Sequence, residues 1–374
     1  MKTLKTFLVI TTILILMFSC KQTNMVKPST FISLKNNFQD DFYIGAAINE
    51  NQILEKDSVV TALISKEFNS ITAENIMKSM YIHPAKDSFA FNLTDKYVAF
   101  GEKHGMYIHG HTLIWHSQLA AWFADIKDST EMVLAMEKHI KTIVDKYKGK
   151  IDSWDVVNEA LNEDGTLRKS AFLESVGEDY LAFAFKWASD TDSKADLYYN
   201  DYNMTHLNKR NGAIKMIKKI QDKGIKIDGV GMQGHWNLKT PSIKDIEESI
   251  IAYSKLGLKV AITELDITVL PNPWDLVGAE VSQGFEGSEK MNPYAKGLPD
   301  SIQTKLAQRY RDIFKLFLKH KDKISRVTFW GVSDGQSWLN GWPIKGRANY
   351  PLVFDRELKP KQAYDSIMAL TSKN

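Results

Sequence analysis

Two glutamates in this sequence are placed to do chemistry. Glu159 closes the run Trp154-Asp155-Val156-Val157-Asn158-Glu159, and Glu264 opens Glu264-Leu265-Asp266, 105 residues further on. A pair of carboxyl groups flanking one bond is the minimal equipment for glycoside hydrolysis, and a gap of about 5 to 5.5 Å lets one attack the sugar directly. The two must then differ in charge at working pH, one ionised to attack and the other protonated to donate. His235 and Asp266 come from neighbouring strand ends and are expected to hold Glu264 ionised; Glu159, beside Val156, Val157 and Ala160, has the less polar setting that favours a protonated acid. Glu264 is therefore read as the nucleophile and Glu159 as the acid/base. Asn158 and Glu159 are consecutive, and neighbours on a regular strand point to opposite faces. If both reach a sugar, the strand must end or bulge there.

Groups so far apart in sequence need a scaffold that brings strand ends together. Eight short β-rich runs occur at 42–48, 68–72, 106–113, 151–157, 196–199, 227–232, 259–263 and 326–330. Helical stripes separate them: Val133, Met136, Ile140, Ile143, Val144 and Tyr147 behind the candidate caps Asp128 and Ser129, and Leu306, Tyr310, Ile313, Phe314 and Phe317. Strands alternating with helices imply parallel pairing, and eight units suit an α/β fold of the (β/α)8 TIM-barrel type. A doubly wound open sheet is the alternative, but Gly45-Ala46-Ala47-Ile48-Asn49 is not the glycine-rich turn that fold usually carries. Glu159 and Glu264 then end strands four and seven, which face one another across a barrel. The long irregular stretch 269–301 follows strand seven and is expected to shape the substrate groove.

The same end of the runs collects polar and aromatic groups that packing does not require. Glu74, Asn75 and Lys78 follow the second run; His109, His111, Trp115, His116 and Gln118 belong to or follow the third. Asn200, Asp201, Tyr202 and Asn203 follow the fifth, Gln233 and His235 the sixth, and Trp330, Trp338 and Trp342 the eighth. His109 and His111 share a strand face and would suit a metal, yet the glutamine- and tryptophan-rich surroundings fit sugar hydroxyls and sugar faces better. No metal or cofactor is expected. Asp155 and His116 are read as supporting residues behind the site, as is Asp266.

Composition sets the class of partner. The 374 residues are 44% hydrophobic, enough for a large core, and carry a net charge of only +3 without any basic run. Nucleic acid is not an expected partner; a neutral one is. Lys2 and Lys5 precede an apolar stretch, 7–18, with Ser19 just before Cys20, the single cysteine. This resembles a bacterial lipoprotein signal, in which that cysteine is lipidated. Met17 and Phe18 depart from the usual residues, which leaves plain cleavage as the alternative. The expected organisation is a signal over 1–19, a tether over 20–35 and one catalytic domain over 36–374. The protein would be exported to the cell envelope, lipid-anchored through Cys20, or periplasmic or secreted.

TAEN (72–75), HGHTLIWH (109–116), WDVVNEA (154–160), NDYN (200–203), GMQGH (231–235), TELDI (263–267) and WGVSDGQSWL (330–339) together resemble glycoside hydrolase family 10, the retaining endo-β-1,4-xylanases. The resemblance covers nearly all of the chain from Phe42 onward. It implies Glu159 as proton donor and Glu264 as nucleophile, acting on xylan and xylo-oligosaccharides. It further implies that Asn158, Gln233 and His111 contact the sugar being cleaved. Glu74, Asn75, Lys78, Gln118 and Trp330 would bind that sugar or its non-reducing neighbour, and His235 would hydrogen-bond the nucleophile. Trp115 and Trp338 would wall the cleavage site, with Trp338 excluding a hydroxymethyl group at C5, and Tyr202 and Asn203 would line the reducing-end side. A monomer is expected. The reading from another class is a non-catalytic xylan-binding lipoprotein on the same fold.

Overall fold

A computed structural model of the protein describes residues 33–370. Cys20, the signal and most of the tether lie outside the described residues. The first element among the described residues is the helix Leu34–Asn37, inside the stretch expected to be tether. Leu34 and Phe38 are buried, and the Leu34 amide donates to Glu67 at 3.0 Å, so residues 34 and 35 belong to the packed domain.

Nine parallel strands follow: β1 (Tyr43–Ile48), β2 (Ser70–Ala73), β3 (Tyr107–Trp115), β4 (Ser153–Asn158), β5 (Asp196–Asp201), β6 (Gly229–Met232), β7 (His235–Asn237), β8 (Lys259–Thr268) and β9 (Ile324–Phe329). Each of β1 to β5 pairs with the next, β6 pairs with β8, β8 with β9, and β9 returns to β1. The sheet is therefore a closed eight-stranded (β/α)8 barrel and not an open one. The short β7 extends the rim of β8, setting His235 opposite Asp266. This ninth strand was not expected, because three residues are too few to show a period. β3, β5 and β8 also run past their expected ends. β5 is extended by Asn200 and Asp201 and β8 through Glu264 and Asp266, polar residues that carry no strand-like hydrophobicity, whereas the apolar Ile114 and Trp115 extend β3.

The outer helices form where the stripes predict. Asp128 caps the helix Ser129–Lys146 by accepting from the Glu131 amide at 2.8 Å, satisfying a donor the first turn leaves free. Met132, Met136, Ile140, Ile143 and Val144 are buried against the barrel, whereas Val133 is only half-buried. The helix Asp300–Lys319 buries Leu306, Tyr310, Ile313, Phe314 and Phe317 completely. At roughly 1.5–3 kcal/mol for each apolar side chain of this size, that stripe alone anchors the helix. Inside the barrel, close approach constrains single residues. Gly110 pairs with Trp154, and a Cβ at Gly110 would fall 2.2 Å from the Trp154 ring.

Candidate active site

The two glutamates reach one cleft because their strands depart from regularity. The β4–β5 register shifts between Asp155 and Val157, and the β8–β9 register between Ile262 and Leu265. Just past the end of β4, Glu159 takes a left-handed φ of 57°. That bend resolves the Asn158–Glu159 conflict: the strand both shifts register and stops, so consecutive side chains turn toward the same space. The Glu159 amide stays tied to the Asn200 carbonyl at 2.9 Å.

A cleft of about 380 Å³ at this end of the barrel is lined by Glu74, Asn75, Lys78, His111, Trp115, Gln118, Asn158, Glu159, Gln233, His235, Glu264, Trp330 and Trp338, together with Ala279 and Val281. All but two of the side chains expected to face substrate or react thus share a wall. The exceptions are Asn203, whose side-chain amide donates to Glu163 at 3.0 Å, and Tyr202. The tyrosine is 2% exposed, its hydroxyl accepts from Arg168, and the Lys209 ammonium lies 3.6 Å over its ring. Gly278 of the 269–301 stretch approaches so closely that a Cβ there would stand 2.3 Å from the ring. The loop thus covers Tyr202, which a reading without that loop could not foresee. Asp201 is fully buried and paired with Lys209 at 2.8 Å. A larger hollow of about 610 Å³ lies outside the barrel between the helices Asp179–Thr191 and Leu207–Gln221, away from the carboxyl pair.

The carboxyl groups are held by different partners. Gln233 Nε2 donates to Glu159 Oε1 and Trp115 Nε1 to Oε2, each at 2.8 Å. Asn200 Nδ2 donates to Glu264 Oε1 at 2.8 Å, and His235 Nε2 lies 3.2 Å from Oε2. Asn200 and Gln233 also meet at Asn158 Oδ1, at 3.0 and 3.4 Å, so a continuous ladder of amides joins the two acids. Thr263 donates to Asn200 Oδ1 at 2.6 Å, which fixes the orientation of that amide. Gly231 leaves room for it, since a Cβ there would sit 2.2 Å from Asn200 Oδ1. The sequence places Asn200 only among the polar groups after the fifth run; its spacing from Glu264 gives no sign that it touches the nucleophile.

These surroundings separate the two proton affinities. Burial pushes the Glu159 carboxyl up, and the charge of Asp201 adds to this. Burial also acts to raise Glu264, but the hydrogen bonds from His235 and Asn200 and the nearby histidine charge outweigh it and hold the group below its ordinary value. His235 is itself pushed up to about 10: burial opposes its charge, but Asp266 and Glu264 overcome that. As an imidazolium, it donates through Nε2 to Glu264 and through Nδ1 to Asp266 at 3.0 Å. Asp266 also accepts from Trp338 Nε1 at 2.8 Å, so the carboxylate that orients His235 fixes a cleft-wall ring too.

Lys78 is pushed down to about 8 by burial, against the attraction of Glu264, Glu74 and Glu159. Its ammonium donates to Asn75 and Gln118 at 2.9 and 2.7 Å and stands 5.0 Å from the centre of the Trp115 ring. Burial raises the Glu74 carboxyl, partly countered by Lys78 and Asn75. Trp330 is edge-on to His111 at 5.5 Å, and Trp338 stacks on Trp342 at 4.5 Å. Asp155 lies behind the wall, 2.9 Å from His111 Nδ1 and 3.0 Å from His109 Nε2. Both histidines of the possible metal pair are thus turned to this one carboxylate. Among the described residues, no group of three or more His, Cys, Asp or Glu side chains is arranged to hold a metal ion. His116 faces Glu280, 3.4 Å away.

The barrel and its paired carboxyls define a glycoside-hydrolase site, and comparison gives the family: residues 33–370 match Glycosyl hydrolase family 10, to which this chain belongs. It is 43% identical to Endo-1,4-beta-xylanase A of Xylanibacter ruminicola over 88% of this chain and 90% of that protein. It is 40% identical to a Beta-1,4-xylanase of Dictyoglomus thermophilum, over 90% of each. Among solved structures, an endoxylanase of the same family retrieved from a sugarcane soil metagenome superposes with a TM-score of 0.88 at 46% identity, covering 91% of this chain and all of that one.

Proposed function

We propose that this protein is a retaining endo-1,4-β-xylanase, hydrolysing internal β-1,4-xylosidic bonds of xylan and xylo-oligosaccharides. The observation that carries this is the amide ladder holding a proton-rich Glu159 and an ionised Glu264 in one cleft. In the first step a Glu264 carboxylate oxygen bonds to the anomeric carbon while the bond to the glycosidic oxygen breaks. Glu159 gives its proton to that oxygen, and the chain beyond leaves as an alcohol. In the second step water attacks the same carbon, Glu159 takes the water's proton, and Glu264 departs as a carboxylate. Asn158, Gln233 and His111 would hold the sugar being cleaved, with Glu74, Asn75, Lys78, Gln118 and Trp330 on its non-reducing side. Trp338 beside C5 would select xylose over glucose by leaving no room for a hydroxymethyl group. The non-catalytic reading has no support, because both carboxyls are present and oppositely tuned.

The first product released should be the β-anomer by proton NMR, and an initial α-anomer would overturn the mechanism. Glu264→Ala should lose turnover while keeping xylan binding; a retained wild-type rate would remove Glu264 as nucleophile. Export, with Cys20 as a lipid anchor, and action as a monomer complete the reading. They rest on the N-terminal sequence and on the neutral, polymeric nature of the substrate.

A further inference from the structure

The stretch after β8 has no sequence motif, yet one of its residues is wired to the backbone of the acid/base. Glu280 Oε2 accepts from Arg168 Nη1 at 2.9 Å and lies 3.4 Å from His116 Nε2. The neighbours of Glu280 in sequence, Ala279 and Val281, line the cleft. Its other oxygen accepts from the Ser282 amide at 3.2 Å, so the carboxylate is oriented by its own loop before it meets Arg168. Gln283 braces that loop from behind, bonding both the amide and the carbonyl of Val277 at 2.9 Å.

Arg168 distributes the contact. Its Nε donates to the carbonyl of Glu159 at 3.0 Å, its Nη2 to the carbonyl of Leu161 at 3.3 Å and to the Tyr202 hydroxyl. The guanidinium fork therefore spans the residue that bends left-handed at the end of β4 and the loop that walls the cleft beyond β8. A non-glycine residue in that conformation costs on the order of 1 kcal/mol or more, and it persists only where its surroundings hold it. Glu280 neutralises the arginine that does the holding.

We propose that Glu280 is a positioning residue for proton donation: by clasping Arg168 and His116 it closes the 269–301 loop on the cleft and, through Arg168, holds the Glu159 backbone in its bend. This rests on Glu159 being the acid/base. Protonation matters most for poor leaving groups and little for good ones, so the test is a series of aryl β-xylobiosides of equal size whose phenols differ in acidity. A misplaced acid of this kind loses on the order of tenfold, a fraction of the 10²–10⁴ that general acid catalysis supplies. Glu280→Ala should lower kcat/KM about tenfold for the phenyl compound and less than twofold for the dinitrophenyl compound, with Glu280→Gln between wild type and Glu280→Ala. Arg168→Lys keeps the charge but loses the fork, and should reproduce the same dependence on leaving group.

Melting temperatures measured alongside separate misfolding from misplacement. Equal losses across the series, or no loss in either variant, would overturn the proposal. A wild-type protein that cleaves none of these compounds would instead retire the assignment of Glu159 and Glu264.

Discussion

Replacing His235 by Asn tests the electrostatics of the nucleophile more directly than removing the nucleophile. In the native site His235 stands 3.2 Å from Glu264 and 3.0 Å from Asp266. An opposite charge this close lowers a carboxyl pKa by about 1 to 3 units, equivalent to roughly 1.4 to 4 kcal/mol. Without it, burial of Glu264 acts with less opposition and its pKa rises. The acidic limb of kcat/KM should therefore move upward by about 1 to 3 pH units. The basic limb, set by the acid/base, should shift much less.

Stability carries a second signature of the same substitution. In the folded chain His235 is raised to about 10, because Asp266 and Glu264 outweigh the burial that opposes its charge; in the unfolded chain it titrates near the ordinary histidine value of about 6.5. Its contribution is thus complete below about pH 6.5 and disappears as the pH rises through about 10. The melting temperature of wild type should exceed that of His235→Asn most at pH 6, and the gap should narrow toward pH 10. A pH–rate profile on an aryl β-xylobioside and thermal melts at both pH values make the measurement. An unmoved acidic limb together with a constant gap would refute the charged-histidine account.

Two further outcomes follow from packing and from the amide ladder. Gly110→Ala would drive a methyl group into the Trp154 ring, where the ideal Cβ position is only 2.2 Å away, and should cost about 1 to 3 kcal/mol in a denaturant titration. Asn200→Ala leaves Glu264 Oε1 without the donor it has at 2.8 Å. That should weaken the charged form by about 1 to 3 kcal/mol, moving the acidic limb upward as His235→Asn does, although Asn200 is no acid or base.

Legibility in the sequence followed periodicity and side-chain type. The stripe from Leu306 to Phe317 repeats at helical spacing, so the helix was visible without coordinates, as was the order of the eight barrel strands. Glu159 and Glu264 were visible as well, because polar groups at the ends of apolar strands have no packing reason to be there. The three-residue β7 and the polar extensions of β5 and β8 lacked any periodic signal.

Several facts about the site had no local trace at all. Tyr202 is covered because Gly278, 76 residues later, lies on its ring, and Asn200 meets Glu264 across 64 residues. Glu280 reaches Arg168 over 112 residues. The amino-acid order by itself determined which elements form and which acids end up at one rim, since those depend on spacing along the chain. Only the closed barrel decided which amide, cation or loop stands beside each acid. Those contacts are made through space between distant segments, and the proton affinities that divide the chemistry between two identical side chains are set by them.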